Sequence, residues 1–509
     1  MTHRDIVVVG AGPAGLAAAE GALAAGARVT LIDSADQPGG QYHRMLPEAY
    51  EATRPEALQH GWTAFQRRLR RVRGHPDCAW WSESSVWALE RPDPAPDRDS
   101  DLDRDPDRDS DPDRDREQPR PPRVHVLRGP ADGSGRRRTT LEPDALVLAV
   151  GAHDRVLPFP GWELPGVFTA GAAQALAKGE RVVVGDRAVI AGTGPFLLPV
   201  AASLLEAGAQ VLEVLEANTP RTVARGWSQR PWQLAAQAGK SGELAEYTAL
   251  LLRHRVPYRT GRTVVEARGD GRVEEVVTAR LRPDWSVVPG SERTLAVDAV
   301  CVTHGFSPQL ELPVAAGCAL RGTLGGEFVA VDDDQATSRP GVYAAGEITG
   351  VAGAPAARAE GALAGWRAAG GDPDTAAVRR LRRSRDQGRA FAERLARAHP
   401  IGAAWPGWLR PETVVCRCEE ADYASLCRAA ADPAGSAARV AKLATRAGLG
   451  PCQARVCGPT VAELNARLSG APADREAEGL PVPAPHRRPL AQPIRLGELA
   501  AAPQPPHQP

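Results

Sequence analysis

Asp5-Ile6-Val7-Val8-Val9-Gly10-Ala11-Gly12-Pro13-Ala14-Gly15 is the stretch whose reading decides the fold. Four β-branched residues in a row read as a buried strand, and the Ala-rich run from Pro13 reads as a helix. Between them the glycines keep the G-x-G-x-x-G spacing. Gly10 permits the tight turn, and Gly12 lets backbone N–H groups approach a pyrophosphate. Gly15 lets the helix lie close to the strand, with Pro13 and Ala14 in its first turn. Val29-Thr30-Leu31-Ile32 reads as the next strand, and Asp33 ends it, where a carboxylate can accept ribose hydroxyls. Glycines alone would suit a close helix crossing with no ligand. Strand, turn, helix and acid in this order predict a dinucleotide-binding βαβ unit.

Three later segments choose the dinucleotide. Gln37-Pro38-Gly39-Gly40-Gln41 follows Asp33 closely, and its Gly-Gly turn can pass near a flavin. Gly341-Val342-Tyr343-Ala344-Ala345-Gly346-Glu347 resembles the flavoprotein segment whose acid binds the ribityl chain. That acid is usually Asp, so Glu347 carries one extra methylene. Leu148-Ala149-Val150-Gly151 resembles the flavoprotein strand-to-turn that usually ends Thr-Gly. The expected FAD site is therefore Gly10, Gly12, Pro13, Ala14, Gly15, Asp33, Gly40, Gln41, Gly151, Gly346 and Glu347.

A second unit opens at Ala188-Val189-Ile190-Ala191 and turns through Gly192-Thr193-Gly194-Pro195-Phe196-Leu197, with Leu197 in place of the third glycine. A helix is expected over Leu197–Ala207 and a strand over Val211–Leu215. Glu216 then stands where an acid would hold a ribose, favouring NAD over NADP, although Arg221 and Arg225 blur that choice. Gly192, Gly194 and Glu216 leave three readings open: NAD(P), another adenine nucleotide, or a retained domain that has lost its hydride donor.

The expected fold is α/β: two nested Rossmann-like domains of the two-dinucleotide-domain flavoprotein type, with a small helical domain behind them. The FAD domain spans 1–165 and 320–370, and the second nucleotide domain 166–319. A linker and helix cover 371–410, with the basic stretch Arg379–Arg397 expected to face solvent. A cysteine-bearing domain spans 411–468, and a Pro-rich tail, expected to be disordered or draped on a partner, spans 471–509. Composition agrees: among 509 residues 43% are apolar, 51 are Gly and only 5% are aromatic. That suits Ala/Gly-rich α/β layers better than an aromatic-rich sandwich. Lys+Arg and Asp+Glu both number 62, so no net field directs the chain to nucleic acid or an acidic membrane face. The Asp/Arg/Pro tract 92–122 has cancelling charges and reads as a solvated loop tip between Val86–Leu89 and Val124–Leu127. No stretch is apolar enough to span a bilayer, and no secretory signal precedes Ile6, which predicts a cytoplasmic protein.

The cysteines carry the remaining chemistry. Cys78, Cys301 and Cys318 are scattered and read as small buried apolar residues, so the closely spaced pair of a flavin disulfide reductase is missing. Cys416-Arg417-Cys418 and Cys452-(four residues)-Cys457 form C-x-C…C-x4-C in a region without histidine. Four thiolates can hold a [2Fe–2S] cluster. The lack of histidine excludes a Rieske centre or a zinc site of two cysteines and two histidines. A four-cysteine zinc site and plain thiols stay open. Gly448-Leu449-Gly450-Pro451 can turn backbone N–H groups toward sulfur, and Gly458-Pro459 reads as a helix start. Cys427 falls in a helical segment and is left unligated.

Val415-Cys416-Arg417-Cys418-Glu419-Glu420 and Thr445-Arg446-Ala447-Gly448-Leu449-Gly450-Pro451-Cys452-Gln453 resemble the bacterioferritin-associated-ferredoxin type of [2Fe–2S] domain. His153-Asp154-Arg155-Val156-Leu157-Pro158-Phe159-Pro160-Gly161-Trp162-Glu163-Leu164-Pro165-Gly166-Val167 resembles the A (alpha) subunits of dye-linked amino-acid dehydrogenases. That group takes in opine oxidases, D-hydroxyproline and proline dehydrogenases and the hydrogen cyanide synthase flavin subunit. The resemblance implies a hetero-oligomer in which a beta-type flavoprotein oxidises the C–N bond, sometimes with a small ferredoxin-like subunit. It also implies FAD, a [2Fe–2S] cluster and, in part of the group, an FMN at a subunit interface, which nothing in this chain localises. Two other functions compete with electron relay: a self-sufficient NAD(P)H-dependent reductase, and a non-catalytic nucleotide-binding subunit with a four-cysteine zinc site. No acid–base pair stands out, so no catalytic residue is named.

Overall fold

The structure is a computed structural model that describes residues 3–47, 50, 56, 59–92, 120–229, 238–431, 438–469, 486–488 and 490–505. Most of the Asp/Arg/Pro tract and the first part of the tail lie outside the described residues.

The N-terminal strand Asp5–Val9 sits at the centre of a five-stranded parallel sheet ordered Val342–Ala344, Ala145–Leu148, Asp5–Val9, Arg28–Ile32, Cys78–Trp81. Every residue of Ala145–Leu148 is buried, as befits a strand covered on both faces. One face is covered by the helix Pro13–Ala24, which crosses the helix Ala354–Ala368. A Cβ on Gly361 would lie 1.9 Å from the Ala14 carbonyl oxygen, and one on Gly365 would lie 1.9 Å from that of Ala18. The two helices therefore meet backbone to backbone, which is what the Ala/Gly richness accomplishes. The antiparallel strands Ser84–Glu90, Arg123–Arg128 and Arg137–Leu141 cover the other face through Val86, Val124 and Val126.

The second parallel sheet runs Tyr258–Thr260, Gln210–Glu216, Arg187–Gly192, Ala299–Thr303, Val167–Thr169. Helices Ala170–Gly179 and Leu197–Glu206 pack on one side. The strands Arg262–Arg268, Glu275–Arg280 and Arg293–Ala296 pack on the other.

The cysteine-bearing segment has a short antiparallel pair, Val414–Cys416 with Ala421–Asp422, and helices Tyr423–Ala431, Ala438–Thr445 and Gly458–Leu468. It shares a core with the second sheet's domain, where Trp285 and Trp408 stack at 5.9 Å beside Trp405, Val415, Cys416 and Cys457. Polar contacts reinforce the joint. Trp162 donates its indole N–H to the Val414 carbonyl, Arg155 pairs with Glu463 at 3.1 Å, and both oxygens of Glu266 accept from Arg410 at 2.9 Å.

Two expectations change. The basic stretch forms a 23-residue helix, Ala376–Ala398, but it does not simply face solvent. Arg385 is buried and pairs with Asp333 and Asp386, Arg382 and Arg367 share Asp334, and Arg389 faces Glu360 at 3.6 Å. Carboxylates of the first domain, with Asp386 of the helix itself, let Arg385 go inside and leave Arg367, Arg382 and Arg389 partly covered. The described part of the tail, in turn, lies on its own chain. Ala491 N–H donates to the Trp87 carbonyl at 2.7 Å, and Gln504 N–H to that of Arg138 at 2.7 Å. Glu498 and Arg136 form a bidentate pair at 2.7 and 2.8 Å.

Candidate functional site

The glycine turn after Asp5–Val9 is built by close approach. A Cβ on Gly15 would fall 1.7 Å from the Gly10 carbonyl oxygen, so no other residue lets the helix start here. The Gly39-Gly40 turn folds over this point, and Gly39 N–H donates to the Ala11 carbonyl at 2.9 Å. Asp33 accepts from the N–H groups of Ala11 and Ala35, yet burial still raises its pKa.

In front of the turn lies a cavity of about 1790 Å³. Gly10, Gly12, Pro13, Ala14, Asp33, Gly40, Gln41, Gly151, Gly346 and Glu347 all contribute to its wall, while Gly15 sits behind the turn. The helix N-terminus, bare glycine backbone and an acid at the strand end fit a dinucleotide, and no side chain fills the turn. Sequence reasoning missed a further part of the wall, formed by His153, Asp154, Glu311 and Arg455. Glu347 is pushed up to about 7 by burial and then by the nearby Asp154 carboxylate. Asp154 is itself raised by burial, although Gly171 N–H donates to it at 2.9 Å. Burial lowers His153. Only the stretch His153–Val167, noted for its family resemblance, hinted at this wall.

The second turn differs. Gly192, Gly194 and Glu216 come together but do not line the cavity. Glu216 is fully buried and its oxygens are engaged on all sides. The Thr193 hydroxyl (2.9 Å), Gly194 N–H (2.8 Å), Asn218 N–H (2.9 Å) and Asn218 side-chain amide (3.0 Å) donate to it. His399, just past the long basic helix, contacts it through Nδ1 at 3.0 Å. Burial alone would raise Glu216, but His399 and the two N–H groups outweigh it and hold its pKa down.

The four cysteines of the C-x-C…C-x4-C pattern converge. Cys457 and Cys416 sulfurs are 3.7 Å apart, and hydrogen bonding links Cys452 to both Cys457 and Cys418. The Cys457 thiol holds Cys416 down to about 6 and Cys452 to about 4, and its own pKa rises because both neighbours accept from it. Backbone N–H groups of Gly448, Glu419 and Cys418 also stabilise the Cys416 thiolate. Among the described residues, no three His, Cys, Asp or Glu side chains are arranged to hold a single metal ion. Cys427 stands in the helix Tyr423–Ala431. Burial pushes Cys78 up to about 11 and Cys301 up to about 12, and raises Cys318, as expected of inert thiols.

Arg455 ties this loop to the cavity. It follows Cys452 by three residues, pairs with Glu311 at 3.0 Å, donates to the Ala491 carbonyl at 2.6 Å and forms part of the cavity wall.

Known proteins resemble this chain. The family described as pyridine nucleotide-disulphide oxidoreductase matches residues 123–361, and that described as FAD dependent oxidoreductase matches residues 5–95. The A subunit of opine oxidase from Rhizobium meliloti is 31% identical over 98% of this chain and 88% of its own length. Hydrogen cyanide synthase subunit HcnB of Pseudomonas aeruginosa is 28% identical over 89% of this chain and 90% of its own. The crystal structure of L-proline dehydrogenase from P. horikoshii superposes with a TM-score of 0.63 at 17% identity, covering 98% of this chain and 80% of that one. The fold is thus that of the two-dinucleotide-domain flavoproteins. No helix among the described residues is long and apolar enough to cross a membrane.

Proposed function

The chain belongs to the family of FAD-dependent oxidoreductase subunits that includes the A subunit of opine oxidase, and we propose that it relays electrons within a multisubunit dehydrogenase acting on the C–N bond of an amino acid or opine. In this reading a beta-type flavoprotein subunit oxidises the substrate, and a small ferredoxin-like subunit completes the assembly. The observation that carries the reading is the continuity from flavin cavity to cysteine cluster. One loop bears both Cys452, in the four-sulfur group, and Arg455, in the cavity wall.

Bound in the cavity, FAD supplies a centre that takes electrons in pairs and releases them singly. The chain's own residues do the rest. Gly10, Gly12 and the N-terminus of Pro13–Ala24 receive the pyrophosphate, and Asp33 takes the ribose. Glu347, beside Gly346, would meet the ribityl chain, with burial and the Asp154 carboxylate raising its pKa to about 7, well above that of a free glutamate. Cys416, Cys418, Cys452 and Cys457 hold a [2Fe–2S] cluster, a one-electron acceptor whose negative charge is met by nearby backbone N–H groups. The four sulfurs that would hold the cluster form one connected group, with Cys457 meeting Cys416 at 3.7 Å and Cys452 linked to both Cys457 and Cys418.

Co-purification from the native host, with flavin, iron and zinc assayed together, tests the reading. FAD, iron and a second flavoprotein subunit should elute together. Cys452→Ser should abolish the cluster's visible absorbance while FAD stays bound. Zinc in place of iron, or flavin lost along with the cluster, would overturn it.

A further inference from the structure

The two glycine turns are near copies in sequence, yet the acids that follow them have opposite fates. Asp33 faces the cavity. Glu216 is sealed, its oxygens taken by the donors that a bound nucleotide would need and by His399. The space beside the second turn is nonetheless open. Phe196, Val223, Trp227, Tyr258, Phe391 and Leu395 line it as part of the same cavity. Trp227 and Phe391 lie 5.6 Å apart, and the Trp227 indole points at His399 Nε2 at 3.4 Å. The arginines and lysine of the cavity wall, Arg44, Lys178 and Arg455, belong to the flavin-side loop, the helix Ala170–Gly179 and the cysteine-bearing segment. Arg221 and Arg225 are exposed and absent from the wall. A pyrophosphate placed here would thus find the Glu216 carboxylate closed to its ribose and, among the described residues, no guanidinium from the second turn or its neighbouring helix, while the wall carboxylates Glu180 and Glu243 oppose its charge. The rim carries Leu244, Leu252 and Tyr258, exposed by 52%, 72% and 40%.

We propose that this chamber, in place of a nicotinamide dinucleotide, binds an uncharged planar ring of the quinone class against the cavity-facing surface formed by Trp227, Phe391 and Leu395. Aromatic walls stack a flat ring, and the apolar rim admits an isoprenoid-like tail. The site gives an electron-relaying chain a place for its acceptor, so its biological sense rests on the function proposed above. Its physical basis does not.

The test is binding to the full chain, measured with and without FAD. A short-chain benzoquinone should quench tryptophan fluorescence saturably, and Trp227→Phe should remove the saturable part. Leu395→Glu should weaken quinone binding about tenfold or more, because a charge would be buried against the ring. Leu252→Glu, on the exposed rim, should weaken it less and guards against a folding defect at Leu395. NADH should give no one-to-one calorimetric binding. Stoichiometric NADH binding, or saturable quenching unchanged in both Trp227→Phe and Leu395→Glu, would overturn the proposal. Cys452→Ser should leave quinone binding intact, so a failed cluster assignment reads out separately.

Discussion

Glu347→Gln in the FAD-free protein measures how strongly the cavity resists charge. Burial and Asp154 hold Glu347 up to about 7, against 4.5 for the free side chain. At pH 8 the folded state must ionise this group where ionisation is costly, while the unfolded chain ionises it freely. A difference of about 2.5 pH units at 1.36 kcal/mol each makes the folded state roughly 3 kcal/mol less stable at pH 8 than with a neutral group. The sign follows from proton counting. Between pH 4.5 and 7 the folded state holds more protons than the unfolded one, so this group makes stability fall as pH rises through that window. Below pH 4.5 both states are protonated and the effect vanishes. Gln keeps the shape without the titration. The variant should therefore melt several degrees above the parent at pH 8, at roughly 2 °C or less per kcal/mol for a body this large. At pH 5 the gap should shrink to under about 1 kcal/mol. Thermal melts by circular dichroism at the two pH values suffice. An equal shift at both would mean that packing, and not charge, separates the two side chains.

Other expected outcomes follow from the same contacts. Gly15→Ala puts a methyl 1.7 Å from the Gly10 carbonyl, so the helix must move off the strand. It should cost about 1–3 kcal/mol or more and weaken FAD retention on gel filtration. Glu498→Ala strands the Arg136 guanidinium, since both side chains of the pair are more than nine-tenths covered. It should loosen the tail by roughly 1–3 kcal/mol, read as faster proteolysis after residue 490 with the melting temperature of the main body unchanged.

What the sequence made legible was local, and the reason is steric. Gly15 announces itself because only glycine tolerates a carbonyl at that distance, and the strand, helix and acid around it lie within thirty residues. The cysteine spacing was readable for a similar reason: two tight pairs brought together by one short domain. The part of the cavity wall formed by His153, Glu311 and Arg455 was not readable, because these residues meet only after three segments fold together. Nor was the docked tail, since Arg136 and Glu498 are 362 positions apart and neither sits in a motif.

The second glycine turn marks the limit most plainly. In the sequence, Glu216 occupies the position of Asp33, and the difference nearby, Leu197 in place of the third glycine, does not show that the acid is closed. What separates them is His399, 183 positions away, at the end of a helix whose arginines reach carboxylates of the first domain. An acid at a strand end holds a ribose only if its lone pairs remain free, and here they are spent on Thr193 and Gly194 of its own turn and on His399, which anchors the end of that helix. The same glycine turn that in one domain opens on a cavity serves in the other as a joint between domains. Buried anchoring of this kind is costly to undo, because releasing His399 would leave the Glu216 carboxylate short of a partner inside the protein. His399→Ala should therefore destabilise the junction between the long helix and the second sheet without creating nucleotide affinity. NADH binding gained by that variant would show the joint to be a reversible gate.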